Sequence, residues 1–129
     1  MHTRRDELAA FEMLTARSHF LAVQGKGKKW NAKGLVLQVL SNDLGIIRTG
    51  FTVTKKIHKS AVKRNRIKRR LRAIAADGLS TYAKPGYDYI LVGRRETAVN
   101  DYNAILSDLK WCLKKLECYE RPSAADIEG

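Results

Sequence analysis

The sequence predicts an α+β layer fold, a sheet covered mainly on one side by helices. Three observations carry this. Residues 34–41 (GLVLQVLS), 46–54 and 87–93 (YDYILVG) have the length and the apolar, β-branched or aromatic content of strands. Ile67, Leu71 and Ile74 recur at the i, i+4, i+7 spacing of a buried helix face, and Tyr102, Ile105, Leu106, Leu109, Leu113 and Leu116 form a second stripe of that kind. Turn residues punctuate the runs in between. The order is helix, two or three strands, helix, strand, helix. At 129 residues, 44% of them hydrophobic, the chain fits one domain with its own core.

Residues 1–13 mix charges over a weak helical pattern and are expected to be a flexible N-terminal extension. Thr15 then caps a short helix that Gly25 stops, with Phe20 and Val23 three apart on one face. Residues 25–30 (GKGKKW) read as a glycine-rich basic loop; a P-loop needs a longer glycine spacing and a terminal Lys-Ser/Thr. In the strand at 34–41, Leu35, Leu37 and Val39 point one way and Val36, Gln38 and Leu40 the other. The polar Gln38 in mid-strand marks a face that is not wholly sealed. SNDLG (41–45) is turn chemistry and implies a hairpin to the strand at 46–54. There Phe51 and Val53 supply one face, and Gly50, Thr52 and Thr54 leave the other small and polar.

Ser60 is the expected N-cap of the next helix, and Asp77-Gly78 its expected end. Lys84-Pro85-Gly86 fits a type II turn. The strand at 87–93 is apolar enough to be central, and Asn100 or Asp101 caps the last helix. Residues 119–129, with Pro122 and several acids, are expected to be a flexible tail.

The charge is the unusual feature. Lys and Arg number 25 against 13 Asp and Glu, a net +12, and a field of that sign draws polyanions, nucleic acid foremost. Residues 25–72 hold 15 of the basic residues and a single acid, Asp43. Within residues 63–72 seven of ten are Lys or Arg. At about 100° per residue, Asn65, Lys68, Arg69 and Arg72 gather opposite the Ile67, Leu71 and Ile74 stripe. Such a face contacts phosphates, with Asn65 able to reach a base edge or a backbone oxygen; the bland alternative is a solvated helix surface. On the residues alone Phe20 reads as core sooner than as a stacking platform, and Gln38 and Thr52 stay open.

Catalysis by the protein itself finds little footing. His2, His19 and His58 have no triad setting, and the basic half contains no pair of carboxylates for a two-metal site. Cys112 and Cys118 lack partners at zinc spacing and, six apart in a helical pattern, face different ways, so reduced thiols in a cytoplasmic protein are expected. No apolar run reaches the length of a membrane span, and the N-terminus lacks a secretory signal's apolar core.

Residues 50–72, GFTVTKKIHKSAVKRNRIKRRLR, closely resemble the signature of the bacterial ribonuclease P protein subunit: a strand ending in Lys55-Lys56, then a helix opening on Arg64-Asn65-Arg66. HFLAVQGKGKKW, GLVLQV and YDYILVGR resemble the family's first helix and loop, first strand and late strand. The likeness spans residues 14–118, taken as the domain.

The resemblance implies an α-β-β-β-α-β-α two-layer sandwich, like a domain shared with a small ribosomal-subunit protein and elongation factor G, with a left-handed βαβ crossover. It implies a non-catalytic protein partner of a catalytic RNA that removes the 5′ leader of precursor tRNA with Mg²⁺, the metal held mainly by RNA. Carried over by position, Lys56, Arg64, Asn65, Arg66, Lys68, Arg69 and Arg72 would bind the ribonuclease P RNA. Phe20, Gln38 and Thr52 would line a cleft for the leader. Two departures stand out: Gln24 replaces a second aromatic found in many members one turn after Phe20, and His58-Lys59-Ser60 replaces a glycine-containing turn. A structural ribosomal RNA-binding protein is the alternative reading, and a duplex-DNA regulator a third.

Overall fold

The computed structural model describes residues 11–120. In chain order the elements are β1 (Glu12–Met13), α1 (Arg17–Lys26), β2 (Lys28–Asn31), β3 (Leu35–Ser41), β4 (Ile47–Thr52), α2 (Ala61–Tyr82), β5 (Tyr87–Gly93), α3 (Arg95–Val99) and α4 (Tyr102–Lys115). With the two-residue β1 and the five-residue α3 set aside, the order is the expected α-β-β-β-α-β-α.

The five strands lie in the order β1-β4-β5-β3-β2. β5 is central, as its apolar run predicts: Tyr89, Ile90 and Leu91 are wholly buried. It pairs antiparallel with β3 and parallel with β4, so β4, α2 and β5 form a βαβ unit. The expected hairpin between β3 and β4 does not exist, because β5 lies between them. SNDLG does turn the chain, with positive φ at Asp43 and Gly45, but it closes on the 84–86 turn. Asn42 N–H donates to the Gly86 carbonyl and Gly86 N–H to the Ile46 carbonyl, each at 2.9 Å. Gly86 has the positive φ that the Pro-Gly turn requires.

α2 and α4 cover one face of the sheet. Ile67, Leu71 and Ile74 from α2 and Ile105, Leu109 and Leu113 from α4 meet Leu35, Leu37, Tyr89 and Leu91 in the main core. Both helix stripes are therefore buried as their periodicity predicts. Ser60 caps α2, its hydroxyl accepting from Lys63 N–H at 3.3 Å. The helix does not end at Asp77-Gly78 but runs on to Tyr82. Gly78 is buried in the α2–α4 contact, where a Cβ would lie 2.5 Å from Leu109 Cδ2. It is a glycine of close approach, and a sequence reading takes it for a stop.

α1 packs on the opposite face in a smaller cluster with Leu14, Val23 and Ile90 at its centre. Ala16 rather than Thr15 is its N-cap, without a side-chain bond, and it passes Gly25 to stop at Gly27. A Cβ at Gly27 would fall 2.3 Å from the Val39 carbonyl oxygen, so only glycine lets the chain leave α1 and run beside β3. Residues 28–30, expected as loop, are thereby drawn out with Asn31 as edge strand β2.

The expected flexible extension at 1–13 lies outside the described residues up to residue 10; Glu12–Met13 pair parallel with Arg48 and Thr49. Of the tail expected at 119–129, Tyr119 bridges to Ala83 and stacks on Tyr82 with centroids 5.6 Å apart; residues 121–129 lie outside the described ones. Cys112 and Cys118 are free and buried, and burial pushes the Cys112 thiol up to about 12.

Arg48 and Asp88 tie the two parallel strands together on the α1 face. Asp88 is only 3% exposed and accepts from Arg48 Nε and Nη2, each at 2.7 Å, and from Asn42 Nδ2 at 2.9 Å. Removing the guanidinium strands a buried carboxylate. Arg48→Ala should therefore cost about 3 kcal/mol, seen as a lower urea midpoint with an unchanged m-value.

Candidate nucleic-acid interface

The basic helix begins in a loop that its own side chains hold. Arg64 Nη1 donates to the carbonyls of His58 (2.7 Å) and Lys59 (2.8 Å), closing the 58–60 turn over the first turn of α2. Arg95, opening α3, donates to the Ile57 carbonyl at 3.3 Å. Lys55, Lys56, His58, Lys59 and Arg95 then line an open cavity of about 590 Å³. Lys56 is thus placed beside the helix start, as the sequence reading expects, and His58, Lys59 and Arg95 join it there.

Further along, Arg70 Nη1 donates to the carbonyls of Thr97 (2.8 Å) and Asn100 (3.0 Å), fastening α3 and the start of α4 to α2. Arg72 lies with its guanidinium 5.5 Å from the Phe51 ring centroid. Asn65, Arg66 and Arg69 are exposed, and Lys68 is half-buried. Arg66, Arg69 and Arg70 line a second open cavity of about 360 Å³, closed at its far side by Tyr102, whose hydroxyl donates to Asp77. The basic residues thus divide by task. Arg64 and Arg70 serve backbone carbonyls, Arg72 an aromatic ring, while Arg66, Lys68 and Arg69 point cationic groups outward.

The three cleft residues come together on the α1 face, although β3 and β4 are not neighbours. Strand register puts Lys29, Gln38, Ile90 and Gly50 in one row across the sheet, and Asn31, Val36, Val92 and Thr52 in the next. Phe20 reaches from α1 over the first row. A Cβ at Gly50 would be 2.6 Å from Phe20 Cζ, so the missing side chain is the seat for the ring. Phe20 is half-buried and touches the small core with Leu40 and Val92, which makes it both wall and packing. Gln38 Oε1 is buried with no hydrogen-bond partner among the described residues. Gln24 is exposed on α1.

Sequence reasoning missed Lys29 and Asn31, which edge this surface from β2. Their alternation with Lys28 and Trp30 is a strand signal, masked by the two glycines before it.

The chain has relatives among known proteins. A family model described as Ribonuclease P matches residues 8–117. The chain is 39% identical over 123 residues to the ribonuclease P protein component of Paramagnetospirillum magneticum, covering 92% of each. It is 36% identical over 100 residues to that of Clostridium botulinum, covering 78% of this chain and 89% of the relative. In fold it is similar to the RNase P protein of Staphylococcus aureus (TM-score 0.68, 24% identity, 84% of this chain and 97% of that one). The Thermotoga maritima protein is similar to the same degree (TM-score 0.67, 24% identity, 82% and 96%).

The division of labour on α2 separates two kinds of variant. Lys68→Ala with Arg69→Ala should leave the urea midpoint unchanged and lower the slope of log K against log salt for RNA binding by roughly 2. Arg64→Ala should lower the midpoint as well, since the 58–60 turn loses its clasp.

Proposed function

The chain belongs to the ribonuclease P protein family and is a protein subunit of that enzyme, and we propose that it docks on the catalytic RNA through α2 and holds the 5′ leader of precursor tRNA on the α1 face of the sheet. An RNA partner follows from the family. The observation that carries it is the outward basic face of Arg66, Lys68 and Arg69 with Asn65 beside it, flanked by the Lys56 loop. These cations neutralise phosphates and set the register of a folded RNA on the helix.

Two surfaces divide the work. The α2 surface is exposed and cationic, suited to a phosphate backbone. On the α1 face a half-buried ring stands over a floor of Gln38, Ile90, Val92 and Thr52, suited to unpaired nucleotides that present a π-face and polar edges. Phe20 stacks a leader base, and Lys29 at the cleft edge meets its phosphate. The buried amide oxygen of Gln38, without a hydrogen-bond partner among the described residues, is an acceptor on that floor.

Hydrolysis belongs to the RNA, with Mg²⁺ supplying the charge stabilisation of phosphoryl transfer. Among the described residues no three His, Cys, Asp or Glu side chains gather as a metal-holding set. The protein's part is to bind, orient and screen charge. The cytoplasm is the proposed location, and two buried free thiols support it.

Reconstitution tests the reading. The chain with a bacterial ribonuclease P RNA should mature precursor tRNA at low Mg²⁺, where the RNA alone is slow; no gain over RNA alone would defeat it. In the same assay Phe20→Ala should weaken precursor binding by about 1–3 kcal/mol and leave mature tRNA nearly unaffected. Equal losses for both would assign the ring to packing.

A further inference from the structure

One aromatic surface takes no part in the two faces above. The chain has two tryptophans, and both are exposed at the same place: Trp30 on edge strand β2 at 38% and Trp111 on α4 at 51%. Lys115 joins them, its Nζ 5.5 Å from the Trp30 centroid and 4.6 Å from that of Trp111. Among the described residues no carboxylate pairs with Lys115. Trp111 is nine residues beyond Tyr102, about 14 Å along the α4 axis from the α2 cavity at a rise of 1.5 Å per residue.

The surroundings continue the chemistry. Lys28 shares the α4 side of β2 with Trp30, and Leu116 follows Lys115. Both line a cavity of about 410 Å³ whose other walls include Lys26, Lys84, Tyr87 and one acid, Glu117. Two aromatic faces joined by Lys115 are thus set beside an open hollow that carries three further lysines, on the far edge of the sheet from β4.

We propose that Trp30, Trp111 and Lys115 form a second docking site for unpaired RNA, separate from both the α2 surface and the Phe20 cleft. A large exposed ring costs the isolated protein favourable burial, so a partner that covers it gains apolar contact. Lysines choose the partner. Lys110 and Lys114 also lie over rings of Tyr82 and Tyr119 at this end of the molecule, so a second copy of this +12 chain would set ammonium against ammonium. An anion carrying its own π-faces suits the surface, and nucleic acid is that anion. It must be unpaired, because a duplex keeps its base faces stacked inside. A base takes the place of the Lys115 ammonium over Trp111. The ammonium swings to the adjoining phosphate, and Lys28 with Lys84 receives the next one in the hollow.

The tryptophans are themselves the reporters. Trp30→Phe leaves Trp111 as the sole emitter in an otherwise full-length chain. The probe is a 5′-labelled oligouridylate of about ten nucleotides, within the usual site size, with label anisotropy following total binding. Trp111 emission should fall in step with the anisotropy, and an RNA duplex of equal phosphate number should leave it unchanged. Trp111→Ala should weaken oligouridylate binding about five-fold, and Trp111→Phe should restore most of it.

Silent Trp111 emission at saturating oligonucleotide would overturn the proposal, as would equal quenching by duplex. Emission that depends on protein concentration alone would overturn it in favour of self-association. The proposal shares with the proposed function only the RNA partner. Failed reconstitution defeats that reading, and a silent Trp111 defeats this one.

Discussion

A helix carrying seven cations in ten residues stays on the sheet because one narrow stripe of it is completely dry. Ile67, Leu71 and Ile74 are wholly buried, each contributing about 1.5–3 kcal/mol, and that sum opposes the mutual repulsion of the cations on the outer side. The fit depends on a residue with no side chain. A Cβ at Gly93 would lie 2.5 Å from Ile67 Cγ2 and 2.7 Å from Val53 Cγ2, so the helix settles onto the end of β5 only because that position is bare. From this contact follow the aim of Arg66, Lys68 and Arg69, the reach of Arg70 to α3, and the position of the Lys56 loop.

The opposite face of the sheet repeats the device on a smaller scale. Gly50 leaves a gap that Phe20 fills, and Gly27 lets β2 leave α1 so tightly that Lys29 and Asn31 edge the same surface. Glycine here works by absence: it lets apolar groups approach backbone that any other residue would hold off. The two faces then differ in chemistry. One is sealed by α2 and α4. The other, half-covered by α1, keeps Gln38 and Thr52 partly in reach of a ligand. A polar residue in mid-strand is tolerated there because that face is not asked to be a complete core.

Much of the candidate site is legible in the residues because it depends on local periodicity. The spacing of Ile67, Leu71 and Ile74 predicts which side of α2 is buried, and so which side carries Asn65, Lys68 and Arg69. The alternation through Leu35–Ser41 predicts that Gln38 leaves the core. Arg64 and Arg70 are different. They belong to the same cationic run, yet they clasp carbonyls at 58–59 and at 97 and 100, and no pattern within the helix distinguishes them from neighbours that face solvent. The reading of Asp77-Gly78 as a helix end went wrong for a related reason. A glycine that stops a helix and a glycine that admits Leu109 look the same until the second helix is in place.

The sequence by itself determined the α+β class, the buried stripe of each long helix, the Ser60 cap, the Pro-Gly turn and the cationic surface that draws a polyanion. Each is written in residues a few positions apart. The tertiary structure alone decided the sheet order, because the bonds that place β5 between β3 and β4 join residues about 40 to 60 positions apart and outcompete the hairpin that the SNDLG turn would allow. It also decided that Phe20, Gln38 and Thr52 share one surface, and that Trp30 and Trp111, distant in the chain, meet at Lys115. Pairing across a sheet is a choice among partners, and only the assembled core makes it.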